Sequence, residues 1–206
     1  MNQKILKNTL ILTAITLLSG LLLGFVYEIT KDPIAASREK RKQEAYQTVL
    51  EEADSFEAFE AFEEKEAEEI LKNAGISGCY VNEAAIALDG GQNVIGSVVT
   101  ATSKEGYGGE IKVAVGITAD GTVTGIELLS ISETAGLGMN AQEPEFKEQF
   151  QDVNTDRFEV VKGDGGKDGK IDALSGATIT TDAVTNAVNA AVSYYHGAME
   201  GGNVNE

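Results

Sequence analysis

Residues 111–131 read Ile-Lys-Val-Ala-Val-Gly-Ile-Thr-Ala-Asp-Gly-Thr-Val-Thr-Gly-Ile-Glu-Leu-Leu-Ser-Ile. Two β-branched runs, Ile111–Ile117 and Val123–Ile131, flank Ala119-Asp120-Gly121-Thr122. Asp-Gly is a hairpin signal, because both residues accept the left-handed backbone that a tight turn requires. Upstream, Val94–Thr100 has the same strand texture. Downstream the chain offers Gly-rich loops, a short helix near Pro144–Phe150, a strand around Arg157–Val161, a polar glycine loop at Gly163–Gly169 and a strand-like Lys170-Ile171. Val184, Val188, Ala191, Val192 and Tyr195 then recur at helical spacing. Thr181 or Asp182 can cap that helix and Gly197 can end it. Hairpin-linked strands followed by a helix predict an α+β fold over residues 76–200, a mainly antiparallel sheet with flanking helices.

Toward the N-terminus the texture is different. Thr9–Tyr27 carries no charge over 19 residues, enough for a helix of about 28 Å against a hydrocarbon core of about 30 Å. One transmembrane helix at about 9–27 is expected within an anchor of residues 1–33. A cleaved signal peptide is the competing reading, but its apolar region is shorter, roughly 7–15 residues. No Cys follows the run, so a lipid-modified cysteine is excluded there. Residues 34–75 read as an acidic amphipathic helical segment. Tyr46, Val49, Leu50 and Ala53 repeat at i, i+3, i+4, i+7, and Phe56, Phe59 and Phe62 follow at three-residue spacing. Residues 201–206 read as a polar tail.

The composition excludes several chemistries. Among 206 residues there are 16 Lys and Arg, 33 Asp and Glu, one Cys and one His, for a formal charge of −17. Residues 1–42 carry +4 and the remainder −21. One Cys cannot ligate a haem, an iron–sulfur cluster or a zinc knuckle. Nucleic acid is not an expected partner, since neutralising phosphates requires an excess of Lys and Arg. The positive-inside count, taken alone, favours a cytoplasmic body, because five basic residues lie between Lys31 and Lys42 against Lys4 and Lys7 on the other side.

The stretch that carries chemistry is Asp172-Ala173-Leu174-Ser175-Gly176-Ala177-Thr178-Ile179-Thr180-Thr181. Small residues allow a ligand close to the backbone, helix-start N–H groups favour an anion, and four hydroxyls surround that point. A hydroxyl-rich helix cap satisfies the same pattern.

Asp172-x-x-Ser175-Gly176-Ala177-Thr178 resembles the flavinylation motif of the FMN-binding domain family. That family includes the G subunit of the Rnf ion-translocating ferredoxin:NAD oxidoreductase (RnfG) and the C subunit of the sodium-translocating NADH:quinone reductase. Gly106-Tyr107-Gly108-Gly109-Glu110-Ile111 is similar to the segment that leads into the family's sheet. Glu133-Thr134-Ala135-Gly136-Leu137-Gly138 is similar to its second flavin-facing loop, with Ala135 where Pro commonly stands. A compact chain with a single anchor is closer to the RnfG type. The resemblance implies covalent FMN, joined by its phosphate to the Thr178 side-chain oxygen by a separate Mg-dependent flavin transferase. It implies that Asp172 serves that modification, that Ser175, Gly176, Ala177, Thr180 and Thr181 line the phosphate and ribityl region, and that Glu133, Thr134, Leu137 and Gly138 approach the ring or ribityl chain. It further implies an electron-carrying subunit, not a stand-alone catalyst, working with the integral and iron–sulfur subunits of the complex. Its soluble domain would lie on the extracytoplasmic side of the cell membrane, against the Lys/Arg count.

Two other readings compete. Asp164, Asp168, Gly169, Ile171 and Asp172 fall on positions of a calcium-binding loop, but Gly166 and Ser175 stand where ligands belong. A cofactor-free membrane-tethered scaffold would act through the acidic helices alone. A hydrolase built on His196 is disfavoured, because His196 lies about five helical turns beyond Thr178. Cys79 reads as a small buried residue.

Overall fold

The computed structural model describes residues 3–163 and 165–200, in two units that divide at Lys42 and Gln43. The expected polar tail, residues 201–206, and Asp164 of the glycine loop lie outside the described residues.

The first unit is helical. Helix α1 runs Gln3–Val49, and its residues up to Lys42 belong to this unit. The large apolar side chains from Ile5 to Ile34 are exposed. The span is long and apolar enough to cross a membrane. Its hydroxyls find acceptors on their own helix: Thr9 donates to the Ile5 carbonyl and Thr13 to that of Thr9, each at 2.9 Å. Pro33 lies inside α1, so the helix continues across the expected boundary between residues 1–33 and 34–75.

In the second unit the remaining elements are β1 Ser55–Ala58, α2 Glu64–Asn73, β2 Cys79–Leu88, β3 Val94–Ser103, β4 Ile111–Thr118 and β5 Thr122–Ser130, followed by α3 Pro144–Lys147, β6 Val153–Asn154, β7 Glu159–Val161, β8 Lys170–Asp172 and α4 Thr178–Tyr194. Strands β1 to β6 form one antiparallel sheet in sequence order, and β7 and β8 form a parallel pair. The fold class is therefore α+β, a mainly antiparallel sheet with flanking helices, as expected.

Alternation along the strands divides the core between two faces. Val113, Val115 and Ile117 of β4 join Ala183, Val184, Ala187 and Val188 of α4 on one face. Ala114, with Ala85, Ala87 and Val98, meets Tyr46, Val49 and Leu50 on the other. On the second face Gly116 and the alanines Ala85, Ala87 and Ala114 let the Val49 backbone come close to the sheet. The Thr124 hydroxyl donates to the Val49 carbonyl, and a Cβ on Gly116 would enter that same carbonyl.

Within the expected helical segment, residues 34–49 and Glu64–Asn73 are helical and the stretch between them is not. Helix α1 ends at Val49, and Ser55–Ala58 is a strand paired with β2 in the register Ser55↔Leu88 to Ala58↔Ala85. Non-local pairing overrides the three-residue spacing of the phenylalanines, and Phe56 packs edge-on to Tyr46 with centroids 5.5 Å apart. Strand β2 was not expected, because its run Glu83-Ala84-Ala85-Ile86-Ala87 lacks β-branched density. At the last helix, Ala177 is the N-cap, so Thr181 and Asp182 sit inside α4 instead of capping it. Gly197 lies within the π-turn Tyr195–Met199 that follows.

Candidate functional site

Three segments converge beside the start of α4. The first is the loop leading into β4, Gly106–Gly109. The second follows β5, from Ser132 to Gly138. The third is the bend Ser175–Ala177 and the first turn of α4. They enclose a cavity of about 580 Å³ lined by Tyr107, Glu133, Thr134, Leu137, Gly138, Gly176, Ala177, Thr178, Ile179 and Thr180. That volume is in the range of small-molecule sites, roughly 300–1,000 Å³.

Glycines make the convergence possible. A Cβ on Gly138 would lie 2.6 Å from Thr180 Oγ1 and 2.8 Å from Glu133 Cβ. A Cβ on Gly108 would collide with the Ser132 carbonyl, so the first two loops are in backbone contact there. The Gly108 N–H donates to Glu133 Oε1 at 3.2 Å. Gly176 turns the chain into α4 at φ +74°, a left-handed conformation that glycine adopts without strain.

The N-terminus of α4 opens toward this space. Ala177 offers no side-chain cap, and the first intrahelical bond is Thr181 N–H to the Ala177 carbonyl at 3.0 Å. The N–H groups of the first turn precede that ladder and favour an anion, as does the positive end of the helix dipole. Thr178 is exposed at the first helical position, beside the cavity. Glu133 is half-buried there, and no Lys, Arg or His is among the lining residues. Tyr107, Leu137 and Ile179 are the large apolar side chains left exposed in the described part of the second unit, and all three line this cavity. The arrangement suits a ligand with an apolar part against Tyr107, Leu137 and Ile179 and an anionic group at the helix start.

Of the residues expected from sequence, Glu133, Thr134, Leu137, Gly138, Gly176, Ala177, Thr178 and Thr180 line the cavity. Ser175, Thr181 and Asp172 do not. Ser175 is exposed on the bend. Thr181 is buried, with Oγ1 accepting the Leu174 N–H and donating to the Ala177 carbonyl. Asp172 closes β8, and its N–H donates to Gln149 Oε1 at 2.6 Å. Its Oδ1 is buried and has no hydrogen-bond partner among the described residues. Tyr107 and Ile179 were not assigned to the site by sequence reasoning. Tyr107 stood in a quoted motif, and Ile179 could have been noticed as an apolar residue set among hydroxyls at a helix start.

His196 lies in the π-turn, with Nδ1 2.5 Å from Glu200 Oε2, and does not line the cavity. Cys79 opens β2; burial pushes its thiol pKa up, opposed by the Ser103 hydroxyl. Among the described residues no three acidic, His or Cys side chains are grouped to hold a metal ion, and Asp164 of the calcium-loop reading is not among them.

The family model of the FMN-binding domain matches residues 106–193, and that of the RnfG N-terminal region matches residues 1–49. The G subunit of the proton-translocating ferredoxin:NAD(+) oxidoreductase complex of Clostridium ljungdahlii is 36% identical over 182 residues, covering 88% of this chain and 86% of that protein. The G subunit of the Na(+)-translocating ferredoxin:NAD(+) oxidoreductase complex of Acetobacterium woodii is 34% identical over 195 residues, covering 93% and 91%. Among solved structures, NqrC of Shewanella oneidensis aligns with a TM-score of 0.46 and 23% identity over 56% of this chain and 58% of that one.

Proposed function

We infer, from the premise that this chain belongs to the RnfG family, the G subunits of ion-translocating ferredoxin:NAD(+) oxidoreductase complexes, that it is the flavin-bearing, electron-carrying subunit of such a complex. Its FMN is held by a phosphoester to Thr178 and occupies the cavity beside α4. When bound, FMN supplies reversible one- and two-electron transfer. The chain supplies everything else. Thr178 provides the hydroxyl oxygen of the ester, at a position accessible to a flavin transferase. The first-turn N–H groups of α4 hold the phosphate, with Ala177 and Thr180 beside them. Tyr107 and Leu137 offer apolar surface to the ring, and Glu133 and Thr134 offer polar atoms to its edge.

The observation that carries this reading is the place of Thr178. It stands at an uncapped helix N-terminus and lines one cavity with Glu133, Leu137 and Gly138, residues some forty positions earlier in the chain. The apolar part of α1 anchors the chain in the cell membrane as a single pass, with the second unit on the extracytoplasmic side. There a covalent bond keeps the cofactor from diffusing away. The partners are the integral and iron–sulfur subunits of the complex, and any ion path belongs to them, because residues 9–27 hold no ionisable side chain apart from the phenol of Tyr27.

Co-expression with a flavin transferase, followed by intact-mass measurement and peptide mapping, tests the assignment. One FMN is expected on the peptide that contains Thr178, and the fluorescent band on a denaturing gel should vanish in Thr178→Ala while the fold is retained. Chain purified from its own host at the bare mass of its amino acids would overturn the reading. For the orientation, protease added to sealed right-side-out vesicles should digest the second unit.

A further inference from the structure

Among the described residues Glu133 is the one carboxylate that lines the cavity, and they bring no cationic side chain to the lining to balance it. No ion pair neutralises it among the described residues. The side chain is also held in place. Its Oε1 accepts the Gly108 N–H at 3.2 Å. A Cβ on Gly138 would come within 2.8 Å of Glu133 Cβ and 3.0 Å of its Cγ, and one on Gly106 within 2.9 Å of its Oε1. Two glycine backbones thus wall the side chain from either end.

We propose that Glu133 sets the electron affinity of the flavin bound in this cavity, keeping its reduction potential below that of the same site without the charge. The proposal rests on the FMN reading above. An electron that enters the ring without a proton brings a negative charge into a space that already holds one. The repulsion is strengthened by partial burial, which reduces screening by water. Uptake of a proton with the electron removes it, so the carboxylate also favours coupled electron and proton uptake.

A purely structural role for Glu133 is the alternative, because its bond to Gly108 ties two loops together. The two roles separate in one substitution. Glu133→Gln retains a carbonyl oxygen for the Gly108 N–H and loses only the charge.

The test uses the full chain in detergent, loaded with flavin by a transferase and confirmed by intact mass. It is titrated with dithionite in the presence of redox mediators while flavin absorbance is followed. At a fixed ambient potential Glu133→Gln should raise the ratio of reduced to oxidised flavin roughly tenfold. Glu133→Asp, which keeps the charge, should stay nearer the parent. The difference between parent and Glu133→Gln should narrow at high ionic strength. Thr134→Lys, which places a cation in the same lining with Glu133 intact, should shift the ratio the same way, and it decides the matter if Glu133→Gln does not take up flavin. A loaded Glu133→Gln with the parent's midpoint, or a loaded Thr134→Lys with that midpoint, overturns the proposal. Parent chain that carries no flavin is detected by mass before any titration; it overturns the FMN reading and this proposal with it.

Discussion

The Leu174 N–H donates to Thr181 Oγ1 at 3.0 Å, closing the bend between β8 and α4. The same hydroxyl donates to the Ala177 carbonyl at 3.0 Å, one turn back. Thr181 and Thr178 lie in one hydroxyl-rich stretch and do different work. Thr181 is buried and fixes the backbone, whereas Thr178 is exposed at the cavity. Thr181→Val preserves the shape but leaves the Leu174 N–H without its acceptor, at a cost of about 1–3 kcal/mol. Thr181→Ser keeps the oxygen and should cost less. Urea denaturation of both variants checks the order, and flavin attachment at Thr178 should fall in the valine variant alone.

Gly138 and Gly136 give a matched pair for the cavity wall. An alanine Cβ at 138 would lie 2.6 Å from Thr180 Oγ1, and Thr180 is itself buried. Overpacking of this kind costs about 1–3 kcal/mol and displaces two lining residues, so Gly138→Ala should lower both thermal stability and flavin content. At Gly136 a Cβ meets nothing within 4 Å, but φ is +74°. Gly136→Ala should cost about 1–2 kcal/mol through the backbone and leave flavin content near the parent's.

What sequence made readable was governed by local chemistry. The β4–β5 hairpin follows from Asp120-Gly121, and the turn is held as that pair implies. The Thr118 hydroxyl, with the Thr122 N–H, keeps the Asp120 carboxyl below the usual carboxylate range. Helix α4 was legible from Val184, Val188, Ala191 and Val192. Strand β1 was not, because Phe56 and Phe59 sit at helical spacing and only the partner strand at Ala84–Leu88 makes the segment extended. The cavity has the same difficulty. Glu133–Gly138 and Gly176–Thr180 share no local pattern, and only their likeness to a known family brought them together. The exposure of Tyr107 and Ile179 is a tertiary property that their residue types do not encode.

Asn189 ties α4 to the segment before β7. Its Oδ1 accepts the Phe158 N–H at 2.7 Å and its Nδ2 donates to the Phe158 carbonyl at 3.0 Å, in a buried environment. Asn189→Ala leaves one backbone donor and one acceptor unpaired, which should cost about 2–4 kcal/mol. Denaturant unfolding measures the loss, and hydrogen exchange should quicken at the Phe158 amide.

Tyr194 should make stability fall in alkali. Its hydroxyl is buried and has no hydrogen-bond partner among the described residues. Burial first, and the negative charge of Glu66 second, push its pKa from 10 up to about 12. Above pH 10 the unfolded chain releases a proton that the folded protein keeps. The unfolded state then binds fewer protons, and stability declines as pH rises. The contribution is whole below pH 10 and is lost as pH climbs toward about 12, amounting to about 2 kcal/mol. Tyr195, whose pKa is also raised by burial and by Glu200 and Asp120, acts in the same direction. Tyr194→Phe should therefore remove only part of the decline. At neutral pH it should be at least as stable as the parent, because the hydroxyl it lacks was buried without a partner. Thermal unfolding of both proteins at neutral pH and at about pH 11 decides the point: equal losses in the two would assign the alkaline decline to other groups.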